Sequence, residues 1–457
     1  MDMPLTAGTL YTLGLADAAD AIATGRISAR ALADAQLARI VATDAAIEAW
    51  AHLDPAQVRA ASGAADHARA SGALPGLLGG VGIGVKDIIA TAELPTQMGS
   101  PVYAGHRPET DAECVARLKR AGGFVFGKTV TTAFAFLDAG KTRNPWNPAH
   151  TPGGSSSGSA AAVAAGQVAG AIGTQTNGSV IRPAAYCGVV GFKPTRGAIP
   201  LAGVHLFSGT LDQVGTFTRS VRDAARLASA LADPGRIAAA PAPLADAPRL
   251  AYLGDFPWTT LACGDDDVRE AAATRLRRSA EVVQVDFPAE WRTANLVHRT
   301  IMLFEGAALL GGLQDRERTR LSPKLNAALD EGRGIARADY EAALAGRDRA
   351  IAVFTRWCEG FDAVLAPAAT SAAPQGLDST GDPSCATLWS LLGFPALTIP
   401  VGRNAAGLPI GLQIATPTGA DDRLLAVAAW SEAHCGADFS RPCEPVSAGR
   451  APPPASR

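Results

Sequence analysis

Two stretches of this 457-residue chain carry serines held among glycines. They read "TPGGSSSGSAAAVAAG" at 151–166 and "GTQTNGSVIRPAAYCGVVGFKPTRG" at 173–197. A serine hydroxyl becomes a nucleophile only when a base takes its proton. Glycine-rich backbone around it lets N–H groups converge on a small anionic centre, which is what an oxyanion hole for acyl transfer requires. A helix beginning near Ser157 and running to Ala165 would point its N-terminus at the same centre. Two other readings compete for the first stretch. By composition it is a Gly/Ser linker. By pattern, "GSSSG" at 154–158 satisfies G-x-S-x-G, a nucleophile elbow with Ser156 as the attacking residue. The elbow needs an acid and a histidine, for which His205, His298 and His434 are available. It also needs an apolar strand leading in, and "NPWNPAHTP" stands there instead.

The elements that must position these serines are legible in outline. "GLLGGVGIGVKDII" at 76–89 is a glycine-rich apolar run, read as a buried strand carrying Lys86. "ECVARLKRAGGFVFGKT" at 113–129 reads as a helix, a glycine stop and a strand. "DAVLAPA" at 362–368 and "PALTIPVG" at 395–402 read as further strands. The alanine-rich region from Thr12 to about Ser71 has helical periodicity. Within it "SARALADAQLARI" places Ala31, Leu32, Ala35, Leu37 and Ile40 near one face, with Ser28 as N-cap. Strands alternating with helical stretches predict an α/β fold with a mainly parallel sheet. Residues 234–248 read as a Pro/Ala-rich connector, and 447–457 as a disordered tail.

Composition narrows the function classes. Hydrophobic residues make up 47% and charged residues 18%, a globular balance. The net charge is -2 with no long run of either sign, which argues against a nucleic-acid partner. Seven scattered cysteines without a CxxC pair read as reduced thiols of a cytoplasmic protein. The N-terminal stretch shows no signal-peptide pattern. Residues 144–181 hold no Asp, Glu, Lys or Arg, but Pro, Gly, Asn, Gln and Ser break the apolar run that a membrane span needs. The histidines show no metal-ligand spacing, so neither a metal nor a cofactor is expected.

Taken together, the motifs resemble the amidase signature family, in its malonamidase-like branch. The residues that carry the resemblance are "GVKD" at 84–87, "GGSSSGSAAAVAAG" at 153–166 and "GTQTNGSVIRPAAYCGVVGFKPT" at 173–195, with "GFPALTIPVG" and "GLPIGLQ" further on. The family implies a Ser–cis-Ser–Lys triad: Ser179 as nucleophile, Ser155 as bridging serine after Gly154, and Lys86 as base. Amides of Thr176, Asn177, Gly178 and Ser179 would form the oxyanion hole. Free lysine is protonated at neutral pH, so Lys86 must be desolvated, and an apolar strand is a suitable place. Asp87 need not reprotonate it, because adjacent strand side chains point to opposite faces. The implied fold is one α/β/α body over residues 1–446, with a large twisted mixed sheet between helices and a substrate-pocket insertion at about 235–345. The implied activity is hydrolysis of a small-molecule amide, aryl acylamide or carbamate (urethane). The alternative is the A subunit of an amidotransferase, which works on misacylated tRNA within a complex. A homodimer is a further expectation, and no membrane partner is expected.

Several positions depart from the common "GTDTGGS" and "EFA" patterns. Gln175 replaces an acid and keeps hydrogen-bonding ability without charge. Asn177 replaces a glycine, and asparagine tolerates positive φ. Ala133 stands where an acid is usual, which is either structural or widens a substrate channel. Arg182 would clamp a substrate carboxylate, with Gly154 beside the substrate, or else make a structural salt bridge. Cys187, Lys128 and Lys193 read as structural, and Asp212 as an acceptor ordering backbone N–H groups. Trp258, Phe304, Trp389 and Phe394 are candidates for a pocket wall, with core packing as the competing reading.

Overall fold

The computed structural model describes residue 6, residues 8–435 and residues 437–444. The tail expected at 447–457 lies outside the described residues. Eleven strands form one sheet: β1 (Trp50–His52), β2 (Gly82–Lys86), β3 (Phe124–Thr129), β4 (Ala171–Gln175), β5 (Val190–Lys193), β6 (Gln213–Thr218), β7 (Arg249–Tyr252), β8 (Glu281–Gln284), β9 (Ala363–Pro367), β10 (Ala396–Arg403) and β11 (Pro409–Ala415). The helices are α1 (Leu15–Ala23), α2 (Ala29–Ile47), α3 (Pro55–Ala70), α4 (Glu113–Arg120), α5 (Ser157–Ala164), α6 (Ile181–Cys187), α7 (Val221–Leu231), α8 (Asp265–Leu276), α9 (Ala294–Glu317), α10 (Pro323–Gly334), α11 (Arg337–Trp357), α12 (Ser384–Leu392) and α13 (Asp421–His434).

The strand order is β1-β3-β2-β4-β6-β5-β10-β11-β9-β7-β8. The expectation of a mainly parallel sheet is corrected by the pairing. Neighbours are parallel in β3/β2/β4 and in β9/β7/β8. The five pairs from β4 across to β9 are antiparallel, as is β1/β3. For β10 and β11 the physical reason lies in the connection. A parallel pair needs a long crossover, whereas β10 and β11 are joined by a short turn at 404–408. The sheet is therefore mixed, as the family resemblance implied, with helices packed on both faces. The expected insertion at 235–345 contains β7 and β8 at one sheet edge together with α8, α9 and α10.

Local sequence explains the elements that frame the serines. Ser28 caps α2 by accepting from the Ala31 N–H at 2.9 Å, as its residue type predicts. In β2 the period of two sends Ile83 and Val85 into one apolar cluster and leaves Gly84 and Lys86 on the opposite face. α5 is buried along its whole length. It approaches the sheet so closely that a Cβ on Gly158 would lie 2.2 Å from the Ala49 carbonyl oxygen. Gly153, at φ 80°, turns the chain into α5, and the following Gly154–Ser155 peptide is cis, as the family implies. By length and composition the helical segment Ala294–Arg320 could cross a membrane. Here it packs against α10, α11 and α12.

Candidate active site

Lys86 is the last residue of β2, and β4 runs parallel beside it. Ser155 stands just ahead of α5, and Ser179 in the turn between β4 and α6. The centre thus forms at the carboxyl ends of two parallel strands, where open α/β sheets place ligands. Lys86 is fully buried, and its Nζ donates to Ser155 Oγ at 2.7 Å and to Thr174 Oγ1 at 2.8 Å. Burial pulls its amine down to about 7, against the opposing pull of the Asp212 carboxylate. An amine that titrates near neutral pH can exchange a proton with a hydroxyl beside it. Ser179 is 9% exposed. Among the described residues no hydrogen bond joins it to Ser155.

Asp87 does not share this centre. It turns to the other side, accepts from the Gln97 N–H and stands 3.8 Å from Lys128. Lys128 also donates to the Ile89 carbonyl at 2.6 Å and to Thr96 Oγ1 at 2.6 Å, a structural role as expected. Lys193 donates to Gln213 Oε1 at 2.9 Å and to the Phe394 carbonyl. Asp212 accepts from the N–H groups of Phe207 and Ser208, which fits the expected ordering of backbone, and from Thr176 Oγ1. Burial pushes its carboxyl up to about 6. Cys187 is buried, and its thiol reaches only the Pro152 carbonyl, at 3.4 Å.

The turn at 176–179 is held from several sides. Gln175 Oε1 accepts from the N–H groups of Val180 at 2.8 Å and Ile181 at 3.0 Å, capping α6, and its Nε2 donates to Ser390 Oγ at 3.0 Å. Ser390 Oγ donates to the Asn177 carbonyl at 2.5 Å, and Thr387 Oγ1 to Asn177 Oδ1 at 2.7 Å. His298 Nε2 donates to the Thr176 carbonyl at 3.0 Å. Asn177 is not among the described non-glycine residues at positive φ, which are Glu48, Met98, Phe134 and Ala135. Asparagine's tolerance of that region is therefore not what this position uses; its side chain is used to bond α12. Phe134 and Ala135 directly follow Ala133, so the departure at Ala133 sits on a left-handed turn under the apolar cluster of Phe136 and Phe207.

The salt-bridge reading of Arg182 is corrected. Its guanidinium is 2% exposed and makes no ion pair with a carboxylate among the described residues. Its Nη2 donates to the Gly154 carbonyl at 2.7 Å and to Thr380 Oγ1 at 3.1 Å. Gly154 is walled in: a Cβ there would lie 2.7 Å from Thr380 Cγ2. The elbow reading of Ser156 finds no support either. Its hydroxyl donates to the Thr174 carbonyl at 3.2 Å and accepts from the Thr174 N–H at 3.3 Å, and no histidine is bonded to it among the described residues.

A cavity of about 220 Å³ opens beside Asn177, lined by Trp258, Asn295, His298, Met302, Pro383 and Thr387. Trp258 is thus at a pocket wall, whereas Trp389 and Phe394 are fully buried in the core and Phe304 stacks on Tyr340 with centroids 4.1 Å apart. Sequence reasoning passed over Thr174, Thr387 and Ser390, and named His298 only as a candidate partner of Ser156. Thr174 lies inside a recognised motif, but the other three stand 122 or more residues from the turn they touch and carry no local signal.

The chain is similar to known proteins over most of its length. The family model described as Amidase matches residues 31–425. The A subunit of the glutamyl-tRNA(Gln) amidotransferase of Roseiflexus castenholzii is 35% identical over 455 residues, covering 89% of this chain and 92% of that protein. Among solved structures, an amidase superimposes with a TM-score of 0.82 at 31% identity, covering 92% of this chain and 99% of that one. The native peptide amidase from Stenotrophomonas maltophilia superimposes with a TM-score of 0.80 at 30% identity, covering 94% and 98%.

Proposed function

This chain belongs to the amidase signature family, and from that premise we propose that it cleaves a carboxamide or related C–N acyl bond through an acyl-enzyme on Ser179. Neutral Lys86 takes a proton from Ser155 as Ser155 takes one from Ser179. The freed Ser179 oxygen attacks the acyl carbon, and the oxyanion collects at the amides of Thr176, Asn177, Gly178 and Ser179. The proton returns from Lys86 through Ser155 to the leaving nitrogen, and the C–N bond breaks. Water then attacks the ester by the same relay and releases the acid. The observation that carries this reading is the 2.7 Å contact between Lys86 Nζ and Ser155 Oγ at a buried amine brought to about 7. Hydrogen bonds of this kind often tighten only with substrate in place, which accounts for the open link between Ser155 and Ser179. Arg182 and Gly154 act here by holding the backbone that carries Ser155.

Simple amides, aryl acylamides, ureas and carbamates (urethanes) all suit this machinery. The purified chain should therefore be screened on an aliphatic amide, an anilide and an aryl carbamate against Ser179→Ala and Lys86→Ala. Turnover by the wild type that both variants lose by at least 100-fold is the expected result. Near wild-type turnover in either variant overturns the residue assignment. A second reading, as the A subunit of an amidotransferase, is supported by the 35% identity to the Roseiflexus protein. Hydrolysis of a small amide by the chain alone argues against it, and activity that appears only with partner chains favours it.

A further inference from the structure

Three carbonyl oxygens of the turn that follows β4 are taken by donors. Thr176 O accepts from His298 Nε2 at 3.0 Å, Asn177 O from Ser390 Oγ at 2.5 Å, and Gly178 O from the Arg182 N–H at 2.9 Å. His298 comes from α9 and Ser390 from α12, and both helices face the cavity that Asn177 borders. In a planar trans peptide the C=O and the following N–H point in opposite directions. Holding the Thr176 oxygen toward α9 therefore turns the Asn177 N–H away from α9. Holding the Asn177 oxygen toward α12 turns the Gly178 N–H away from α12.

Both donors have their direction set by chemistry. A carbonyl only accepts, so the proton of His298 sits on Nε2, and this ring is 1% exposed. Ser390 Oγ accepts from Gln175 Nε2 at 3.0 Å, which commits its single hydroxyl proton to Asn177 O. The groups that fix the turn are neutral: Gln175, Ser390 and Asn177 on one side, and on the other His298, whose ring burial pulls down to about 4.

We propose that His298 and Ser390 are positioning residues that fix the peptide planes of Thr176–Asn177 and Asn177–Gly178, so that the amides of Asn177 and Gly178 face the developing oxyanion. The inference rests on the acyl-enzyme reading above. Without either donor the corresponding peptide is free to rotate and to present a carbonyl where an N–H is needed.

The test uses the full chain with His298→Leu, His298→Gln and Ser390→Ala. Two readouts serve: the rate at which a fluorophosphonate labels Ser179, and kcat and KM on 4-nitroacetanilide. His298→Leu and Ser390→Ala should each slow labelling and kcat by about 10- to 100-fold, the range expected when an oxyanion donor is misplaced, with KM within about twofold. His298→Gln, which retains a donor of similar reach, should recover most of the loss. Unchanged labelling in both His298→Leu and Ser390→Ala overturns the proposal. So does a raised KM at unchanged kcat, which marks direct substrate contact instead, and so does equal loss in His298→Gln and His298→Leu. If His298→Leu does not fold, Ser390→Ala and His298→Gln carry the decision. Failure of the wild type to be labelled overturns the acyl-enzyme reading itself and is distinguishable from all of these.

Discussion

Lys86 sits with its amine against Ser155 and Thr174 and with no water-exposed surface, and burial brings it to about 7. In the base role proposed above the amine works only unprotonated, so kcat/KM should climb as pH rises through about 7 and then level off. A pH–rate profile flat from pH 5.5 to 8 would remove Lys86 from that role. The adjacent serines separate chemistry from structure. Ser155→Ala should cut turnover by at least 100-fold, because it removes the link between base and nucleophile. Ser156→Ala should retain labelling of Ser179 but lower stability. It strips the Thr174 N–H and carbonyl of a side-chain partner, at a cost of about 1–3 kcal/mol for a buried polar group. A denaturant titration paired with the labelling assay checks both outcomes.

At the scale of elements, the turn after β4 depends on a short helix. α6 has seven residues, and its first N–H groups lean on Gln175 Oε1. An ionised acid in place of Gln175, as in the common "GTDTGGS" pattern, could not donate to Ser390. Gln175→Ala is expected to destabilise the protein by on the order of 2 kcal/mol and to slow turnover, since it uncaps α6 and releases Ser390 together. Thermal unfolding and labelling rate, measured side by side, would expose a Gln175 that matters to only one of them. The strands and helices around this turn were largely readable beforehand. The glycine-rich apolar run through Ile83 and Val85 marked a strand, Ser28 marked a helix start, and the glycines of 153–158 marked a tight entry into α5. The antiparallel centre of the sheet was not readable, because strand order is a matter of which distant segments pair, and apolar runs such as β5 and β10 look alike whichever neighbour they take.

For the whole molecule, burial of lysines shapes stability. Lys86 and Lys193 are brought to about 7 and Lys128 to about 8, each chiefly by burial, whereas an unfolded chain keeps lysines protonated to about 10.5. Between pH 7 and 8 the unfolded state binds more protons on these three amines than the native state does, which outweighs the proton that the Glu432 carboxyl, pushed up to about 7 by burial, retains in the fold, so stability rises with pH. The unfolding midpoint should increase by a few degrees over this interval, below the range where thiols begin to ionise in the unfolded chain. A midpoint that falls between pH 7 and 8 would show that these amines keep their protons in the fold.

What the sequence determined by itself is local: which residue types are present, at what spacing, on strands and turns of short period. Those local motifs carried the family resemblance, and the resemblance in turn implied Lys86, Ser155 and Ser179; the apolar run around Lys86 was enough to expect a buried amine on a strand. Only the tertiary structure decided that Gln175, Ser390 and Asn177 form one neutral chain, that Arg182 holds the Gly154 carbonyl instead of a carboxylate, and that His298 reaches across 122 residues to the Thr176 carbonyl. Such contacts join segments with no common period, and a hydrogen bond between them leaves no mark on either segment alone.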